Sequence, residues 1–279
     1  MFHVEQKETH IEVVDHFLTK EAFTIKKTPI KGLLKTHPAP SKNKIQLYYR
    51  SDKYISHNST TPGLFFFIYR VIRSFNFWFK YKFVGKKELF SKTLDFGSGD
   101  QYFMEQLQRR NHNVFGIDPL KSNISKQVYG SVFDESLDSK NFSCITAWHS
   151  LEHVHELENI IARFHKILDD NGRVIVAVPN YRSFDARLYK NFWAAYDVPR
   201  HLWHFSPKGF ISMAKDCGFE TEKTYPLRLD AYYVSLLSEQ NRQSKFPWLK
   251  AFWSGWRSNR AAKHSKNYSS LIYVLQKRK

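Results

Sequence analysis

Two short runs hold the residues best suited to chemistry. The first is TLDFGSGDQ at 93–101, followed by GID at 116–118. An apolar strand delivers Asp95 and enters a turn of Gly97, Ser98 and Gly99, where missing side chains let a ligand approach the backbone before a helix starts. Asp118 ends the next strand, and an acid there accepts hydrogen bonds from both hydroxyls of a ribose. Strand, acid, G-x-G, helix, strand and acid in this order predicts a nucleoside-containing ligand across the carboxyl ends of the two strands. A G-x-G alone predicts only a tight strand-to-helix turn.

The second run is WHSLEHVHE at 148–156. His149, Glu152 and His153 stand at i, i+3 and i+4, one face of the segment if it is helical. H-x-x-E-H is also a zinc-peptidase pattern, but that chemistry needs a helix and a distant third ligand, whereas this run begins at a strand end. Hydrogen bonding that holds the loop is the plainer role for Glu152 and His153. Further on, DVPRHLWHF at 197–205 adds His201 and His204. Histidine is the natural base near neutral pH, so His149 and His201 are the candidates where an acceptor must lose a proton. Asp197 and Arg200 suit the orienting of a histidine or an anionic acceptor. Trp193, Tyr196, His204 and Trp203 suit contact with a flat or sugar-like acceptor, and ordinary loop packing is the alternative for each.

The elements that would position these groups alternate. Thr93 to Phe96, Asn113 to Ile117, Phe142 to Ala147 and Arg173 to Val178 read as strands, the last after an Asp-Asp-Asn-Gly turn at 169–172. Tyr102 to Arg110, Leu157 to Leu168 and Pro207 to Cys217 have helical periodicity, with Gly218 as a stop signal. Strand-like segments follow at Phe219 to Thr224 and Leu271 to Leu275. The pattern predicts an α/β domain around a mainly parallel sheet. Before it, 64–84 reads as a helix apolar on more than one side, fit to cover a site, with a membrane-surface helix as the alternative. Weak periodicity over 1–45 predicts a small, loosely built appendage, closed by a turn or linker at His37 to Pro40.

The blocks LDFGSGD, GID, FSCITAWHSLEHV, ILDDNGRVIVAVPN, DVPRHLWHFSPKGF and CGFE resemble, in this order, the class I S-adenosylmethionine-dependent methyltransferases, over about residues 45–279. They look most like the branch containing the ubiquinone-biosynthesis-type O-methyltransferases. The resemblance implies a Rossmann-like, seven-stranded, mainly parallel sheet with helices on both faces and an antiparallel last strand. It implies S-adenosyl-L-methionine as cofactor, with Asp95, Gly97, Ser98 and Gly99 around its methionine part and Asp118 at its ribose. Ser131 and Val132 would lie near the adenine, and Trp148 beside the cofactor. Two positions depart from the family pattern: Gln101 replaces a third loop glycine, and Ser131 an adenine-side acid. Weakened or re-tuned cofactor binding is what these departures imply. In ubiquinone-type relatives the face matching Glu152 and His153 has been linked to a divalent metal; His149 stands where an acid is common. Relatives also often begin with a zinc ribbon, but Thr28 and Lys31 fall where its second cysteine pair would be, and neither binds zinc as a thiolate does. The segment YYRSDKYISH, with Tyr54 and His57, resembles one that folds over the cofactor, and these two are candidate acceptor contacts.

The implied organisation is a degenerate ribbon-like appendage at 1–44, a helical lid at 45–90 and the methyltransferase domain at 91–279, with a basic helical insertion at about 240–266. With 279 residues and 42% hydrophobic content, the chain is long enough to bury a full core, which excludes collagen, coiled coil and disorder. Two distant cysteines make no disulfide framework and suit a reducing cytoplasm, and neither an export signal nor a bilayer-length apolar run is visible. The net charge of +17 is uneven: 16 basic against 7 acidic residues in 1–90, 15 against 16 in 91–220, and 12 against 3 in 221–279. Positive potential therefore belongs to the flanks, where it suits an anionic acceptor or simply a solvated face. The expected function is methyl transfer to oxygen or nitrogen of a small or glycan-like acceptor. The rivals are a non-catalytic cofactor-binding scaffold of the same fold and an RNA methyltransferase.

Overall fold

The computed structural model describes residues 11–49, 74, 76–84, 92–119 and 127–278. Its centre is a seven-stranded sheet in the order β10-β11-β8-β7-β4-β5-β6. Here β4 is Lys92–Phe96, β5 Asn113–Ile117, β6 Val128–Tyr129, β7 Phe142–Trp148, β8 Leu168–Pro179, β10 Phe219–Pro226 and β11 Ser270–Lys277. The strands from β6 to β8 are parallel, and β11 runs antiparallel to both its neighbours, as the resemblance implied. The expected turn at 169–172 is a bulge within β8: Leu168 pairs with Phe142, but Arg173 already pairs with Cys144.

Both faces of the sheet are covered, so its central strands are apolar on both sides. Ile145 and Ala147 of β7 face one core with α3 (Leu157–Ile167) and α5 (Pro207–Asp216). Cys144 and Trp148, one residue out of phase, face the other with α2 (Tyr102–Gln108) and a helix over 76–84, α1. Period-two alternation of a strand separates the two cores. Phe77, Tyr81 and Val84 bury the inner side of α1. Of the rest of the expected lid, Ile45–Tyr49 forms a 3₁₀ turn, and 50–73, 75 and 85–90, with Tyr54 and His57, lie outside the described residues.

The N-terminal segment is built tightly, against expectation. The strands β1 (Ile11–Val14), β2 (Ala22–Lys27) and β3 (Leu33–His37) form an antiparallel meander, and β3 pairs with β9 (Trp203–Phe205) of the main domain. Val13, Phe23 and Ile25 share a core with Tyr189, Trp193, Tyr196 and Val198. Between β8 and β9 lies α4 (Phe184–Tyr189), and between β10 and β11 a helical hairpin, α6 (Asp230–Asn241) and α7 (Pro247–Ser265).

Candidate active site

From β4 the chain passes to β5 on one side of the sheet and later returns as β7 on the other. Ligands of doubly wound sheets bind at the carboxyl ends of the strands where the order reverses. That crevice is where the first motif lies. Gly97 and Gly99 have φ of +78° and +53°, and the N–H groups of Gly97 and Ser98 donate to the Ile117 carbonyl at 2.9 and 3.0 Å. A Cβ on Gly97 would come 2.5 Å from Ser150 Cβ, whereas one on Gly99 would meet nothing nearer than 3.9 Å. Backbone at Gly99 is thus open to a ligand. Gln101 keeps the left-handed conformation of a missing third glycine, φ +61°, at the start of α2.

Asp95 is buried and accepts a hydrogen bond from Thr146 Oγ1 at 2.7 Å. Burial pushes its carboxyl up to about 6, against the pull of Thr146 and Lys80. Lys80 of α1 reaches over Trp148, 5.0 Å from the ring centroid; burial lowers its pKa, and Asp95, Asp230 and Asp100 oppose that shift. Ser98 Oγ and Trp148 Nε1 are buried with no hydrogen-bond partner among the described residues. Asp118 is buried at the end of β5, its N–H bonded to the Tyr129 carbonyl. Ser131 is exposed, and its hydroxyl accepts from the Phe133 N–H at 3.1 Å; the Val132 side chain lies in the core. Unpaired buried polar atoms, open backbone and two strand-end acids fit a polar, nucleoside-bearing ligand.

The second motif is a 3₁₀ turn at Leu151–His153, not a helix, and it divides the three groups expected on one face. His149, with φ +50°, lies between two acids: Nδ1 is 3.3 Å from Glu152 Oε1 and Nε2 3.0 Å from Asp230 Oδ2. Burial lowers its pKa, but the two carboxylates outweigh that and raise it to about 10. This arrangement favours the charged form of a residue that the sequence makes a candidate base. Glu152 is fully buried; burial pushes it up, and His149 overrides this to hold it at about 2. Neither Glu152 oxygen meets an aligned hydrogen-bond donor among the described residues. On its other side stand His153 and His201, rings 4.6 Å apart. His153 Nδ1 faces the Arg200 carbonyl at 3.0 Å and the Tyr49 hydroxyl at 2.9 Å, and His201 Nδ1 faces the Ala195 carbonyl at 2.9 Å. A carbonyl only accepts, so His201 carries a proton on Nδ1; His153 Nδ1 has both a carbonyl that accepts and a hydroxyl that can donate. Burial and the neighbouring His201 lower His153 to about 4. One ligand atom each from Glu152, His153 and His201 lie within 4.8 Å of one another, a set able to hold a divalent cation.

The groups expected to face an acceptor from the β8–β9 connection are turned inward. Trp193 Nε1 donates to Asp185 at 2.7 Å, and Tyr196 packs edge-on against Trp193 in the core shared with β1 and β2. Arg200 Nη2 pairs with Asp15 at 2.9 Å and with Asp197 at 2.6 Å. Burial disfavours the guanidinium charge, and the two acids more than restore it. The hydroxyl of Thr36 donates to the His201 carbonyl at 2.7 Å and accepts from His204 Nε2 at 2.9 Å; burial and the nearby His201 lower His204 to about 3. Aromatic and charged residues in that run therefore do the packing work of joining β1–β3 to the domain. Lys80, Thr146 and Asp230 went unread. Thr146 sits in register beside Asp95, a parallel pairing no local pattern reveals, and Asp230 arrives from a distant helix.

A doubly wound α/β sheet with acids at adjacent strand ends and an open glycine turn defines a nucleoside-ligand-binding class of protein. Within that class, the family model for the methyltransferase domain matches residues 69–224. The chain belongs to this methyltransferase family. No curated protein matches it. A crystal structure of a SAM-dependent methyltransferase from Archaeoglobus fulgidus is 16% identical, covering 77% of this chain and 100% of that one with a TM-score of 0.51, and shares the fold. Also similar are 1,6-didemethyltoxoflavin-N1-methyltransferase from Burkholderia thailandensis, at 13% identity, 95% and 99% coverage and TM-score 0.49, and geranyl diphosphate C-methyltransferase from Streptomyces coelicolor A3(2), at 14%, 75% and 81%, and 0.48.

Proposed function

We propose that the chain transfers a methyl group from S-adenosylmethionine to oxygen or nitrogen of a small or glycan-like acceptor, in the manner of the ubiquinone-type branch it resembles. The observation that carries this reading is the pair of buried acids, Asp95 and Asp118, at the ends of neighbouring strands on either side of the open Gly99 backbone. When bound, the sulfonium supplies the methyl group for in-line displacement, so the protein's task is chiefly position and charge. Asp118 would hold the ribose hydroxyls. Asp95 would meet the ammonium of the methionine end and Lys80 its carboxylate, opposite charges that the site already sets side by side. His149, 35% exposed, would place positive charge beside an electron-rich acceptor, since both of its ring nitrogens already face carboxylates; it accepts a proton only after passing its own to one of those acids. Calorimetry with S-adenosylmethionine tests the reading: Asp118→Ala should weaken binding by about 10- to 100-fold, the loss of one or two charge-assisted hydrogen bonds. Absence of any binding by the parent protein would sink it. Binding with no turnover in a broad acceptor screen supports the scaffold rival.

A second reading rests on Glu152. A buried carboxylate without an aligned donor among the described residues, facing the imidazoles of His153 and His201, has the chemistry of a divalent-cation site. Added Zn²⁺ or Mn²⁺ should raise the thermal midpoint of the parent, and Glu152→Gln should abolish that shift. An equal shift in both proteins refutes it.

A further inference from the structure

Helix α7 is inside out. Its inward positions are Ala251, Ser254, Gly255, Ser258 and Ala262, all small. Trp248, Leu249, Phe252, Trp253 and Trp256 point outward over its first three turns, from 70% down to 41% exposed, and Phe246 just before them is 67% exposed. A surface helix ordinarily has the opposite arrangement. Loose docking does not explain it, because the inner face is seated closely. A Cβ on Gly255 would come 2.6 Å from Tyr232 Cδ1, and Ser258 Oγ donates to the buried Asp185 at 2.6 Å. The packing itself holds the large apolar side chains in water, and contiguous exposed patches of this kind mark a docking surface.

Charge identifies the partner. From residue 240 to the last there are ten Lys and Arg and no Asp or Glu. Lys250, Arg257 and Lys263 lie on the exposed side of α7. Beside the aromatic face is a cleft of about 480 Å³, walled by Arg228, Arg260, Lys263 and His264 with Trp256 and Tyr268. No acid lines it. Cations around a cleft, next to tryptophans that carry an apolar body and a polar edge, fit the phosphate headgroups and acyl boundary of an anionic bilayer. A second copy of this chain would set the same basic helix against itself. Single-stranded nucleic acid needs a series of free ring faces. Here Phe252, Trp253 and Trp256 pack edge-on to one another at 78° and 88°, and the Arg260 guanidinium sits 5.3 Å from the Trp256 centroid.

We propose that the α6–α7 hairpin is a membrane-docking surface, with the aromatic face of α7 entering the headgroup region of an anionic bilayer and the basic cleft taking a lipid phosphate. The protein would lie on the membrane: among the described residues no helix is long and apolar enough to cross one. This docking does not depend on the methyl-transfer reading. Its use to a membrane-associated acceptor would be direct, because the first residue of α6, Asp230, is the one that contacts His149.

The test is flotation of the full chain with vesicles of phosphatidylcholine alone or mixed with phosphatidylglycerol, together with tryptophan emission. The protein should float with the anionic vesicles at about 0.1 M salt, shift its emission to the blue, and be released at about 1 M, where the Debye length is near 3 Å. Trp248→Ala/Trp253→Ala and Lys250→Glu/Lys263→Glu should each lower vesicle affinity at least tenfold while leaving the circular dichroism melt and S-adenosylmethionine binding unchanged. The two pairs alter exposed positions by different chemistry, so misfolding of one leaves the other decisive. No flotation with either vesicle overturns the proposal, as does equal flotation of parent and both variants. So does salt-sensitive binding to a single-stranded RNA oligomer without vesicle binding, or dimerisation through α7 without it.

Discussion

Asp95 is held in an environment that disfavours its charge. Burial lifts its carboxyl to about 6 from an ordinary value near 3.8, so the folded protein binds a proton there more tightly than the unfolded chain does. Stability from this group is therefore present at low pH and declines as pH rises from about 4 to about 6. At pH 8 the folded apoprotein bears the cost of a buried carboxylate, on the order of 1–3 kcal/mol. Asn at 95 still accepts from Thr146 without the charge. Asp95→Asn should raise the midpoint of denaturant unfolding of the apoprotein at pH 8, with the difference vanishing near pH 4. The same change should weaken S-adenosylmethionine at least tenfold, because an amide oxygen offers an ammonium a hydrogen bond without the opposite charge. A midpoint unchanged at pH 8 would show that Asp95 is not strained in the apo state. Residue types and spacing made Asp95, Gly97, Gly99 and Asp118 legible in the sequence, because the strand-turn-helix motif is local. Gln101 was legible as a departure but not in its consequence: the backbone keeps φ +61° without the glycine that occupies it most cheaply.

The elements of the main sheet were legible for the same local reason, since β4, α2, β5, β7 and α3 each carry a complete periodic signal. What the sequence hid was pairing between distant segments. Thr36, His201 and His204 form one hydrogen-bonded group only because β3 pairs with β9, and Arg200 meets Asp15 only because the β1–β2 turn lies against the β8–β9 connection. The Asp15 carboxylate also accepts from the N–H groups of Phe17, Leu18 and Thr19, so it shapes the turn and ties it down at once. Against the upward push of burial, these bonds and the Arg200 charge hold its pKa low. A buried ion pair thus organises this turn. Breaking one partner strands the other without compensation, which costs about 3–5 kcal/mol. Asp15→Ala and Arg200→Ala should each lose that much in urea unfolding at pH 7, and the double variant less than their sum. Arg200→Lys should not restore it, because a single ammonium cannot span Asp15 and both oxygens of Asp197. Full additivity of the two losses would mean that the pair is not coupled.

At the scale of the whole molecule, the described part of the implied 1–44 appendage shares its cores with the main domain. Val13, Phe23, Ile25 and Leu33 are all but fully buried, and the cores they enter contain Tyr189, Trp193 and Phe205 of the main domain. Burial of four such side chains stabilises by about 1.5–3 kcal/mol each, a sum comparable with the entire 5–15 kcal/mol of an ordinary domain. Removing residues 1–44 would also open the β3 side of β9, leave the Arg200 guanidinium without Asp15, and leave His204 without the Thr36 hydroxyl. An unpaired strand edge beside an uncovered aromatic core is a route to aggregation. A 45–279 truncation is therefore expected to be insoluble or to melt far below the full chain, and residues 1–44 alone to show the circular dichroism of an unfolded peptide, since the partners that complete their core lie in the main domain. Mixing the two pieces during refolding should recover soluble protein and S-adenosylmethionine binding. A truncation that melts with the full chain and binds the cofactor equally would establish the N-terminal sheet as an independent attachment, whose burial against the domain then contributes little to the fold.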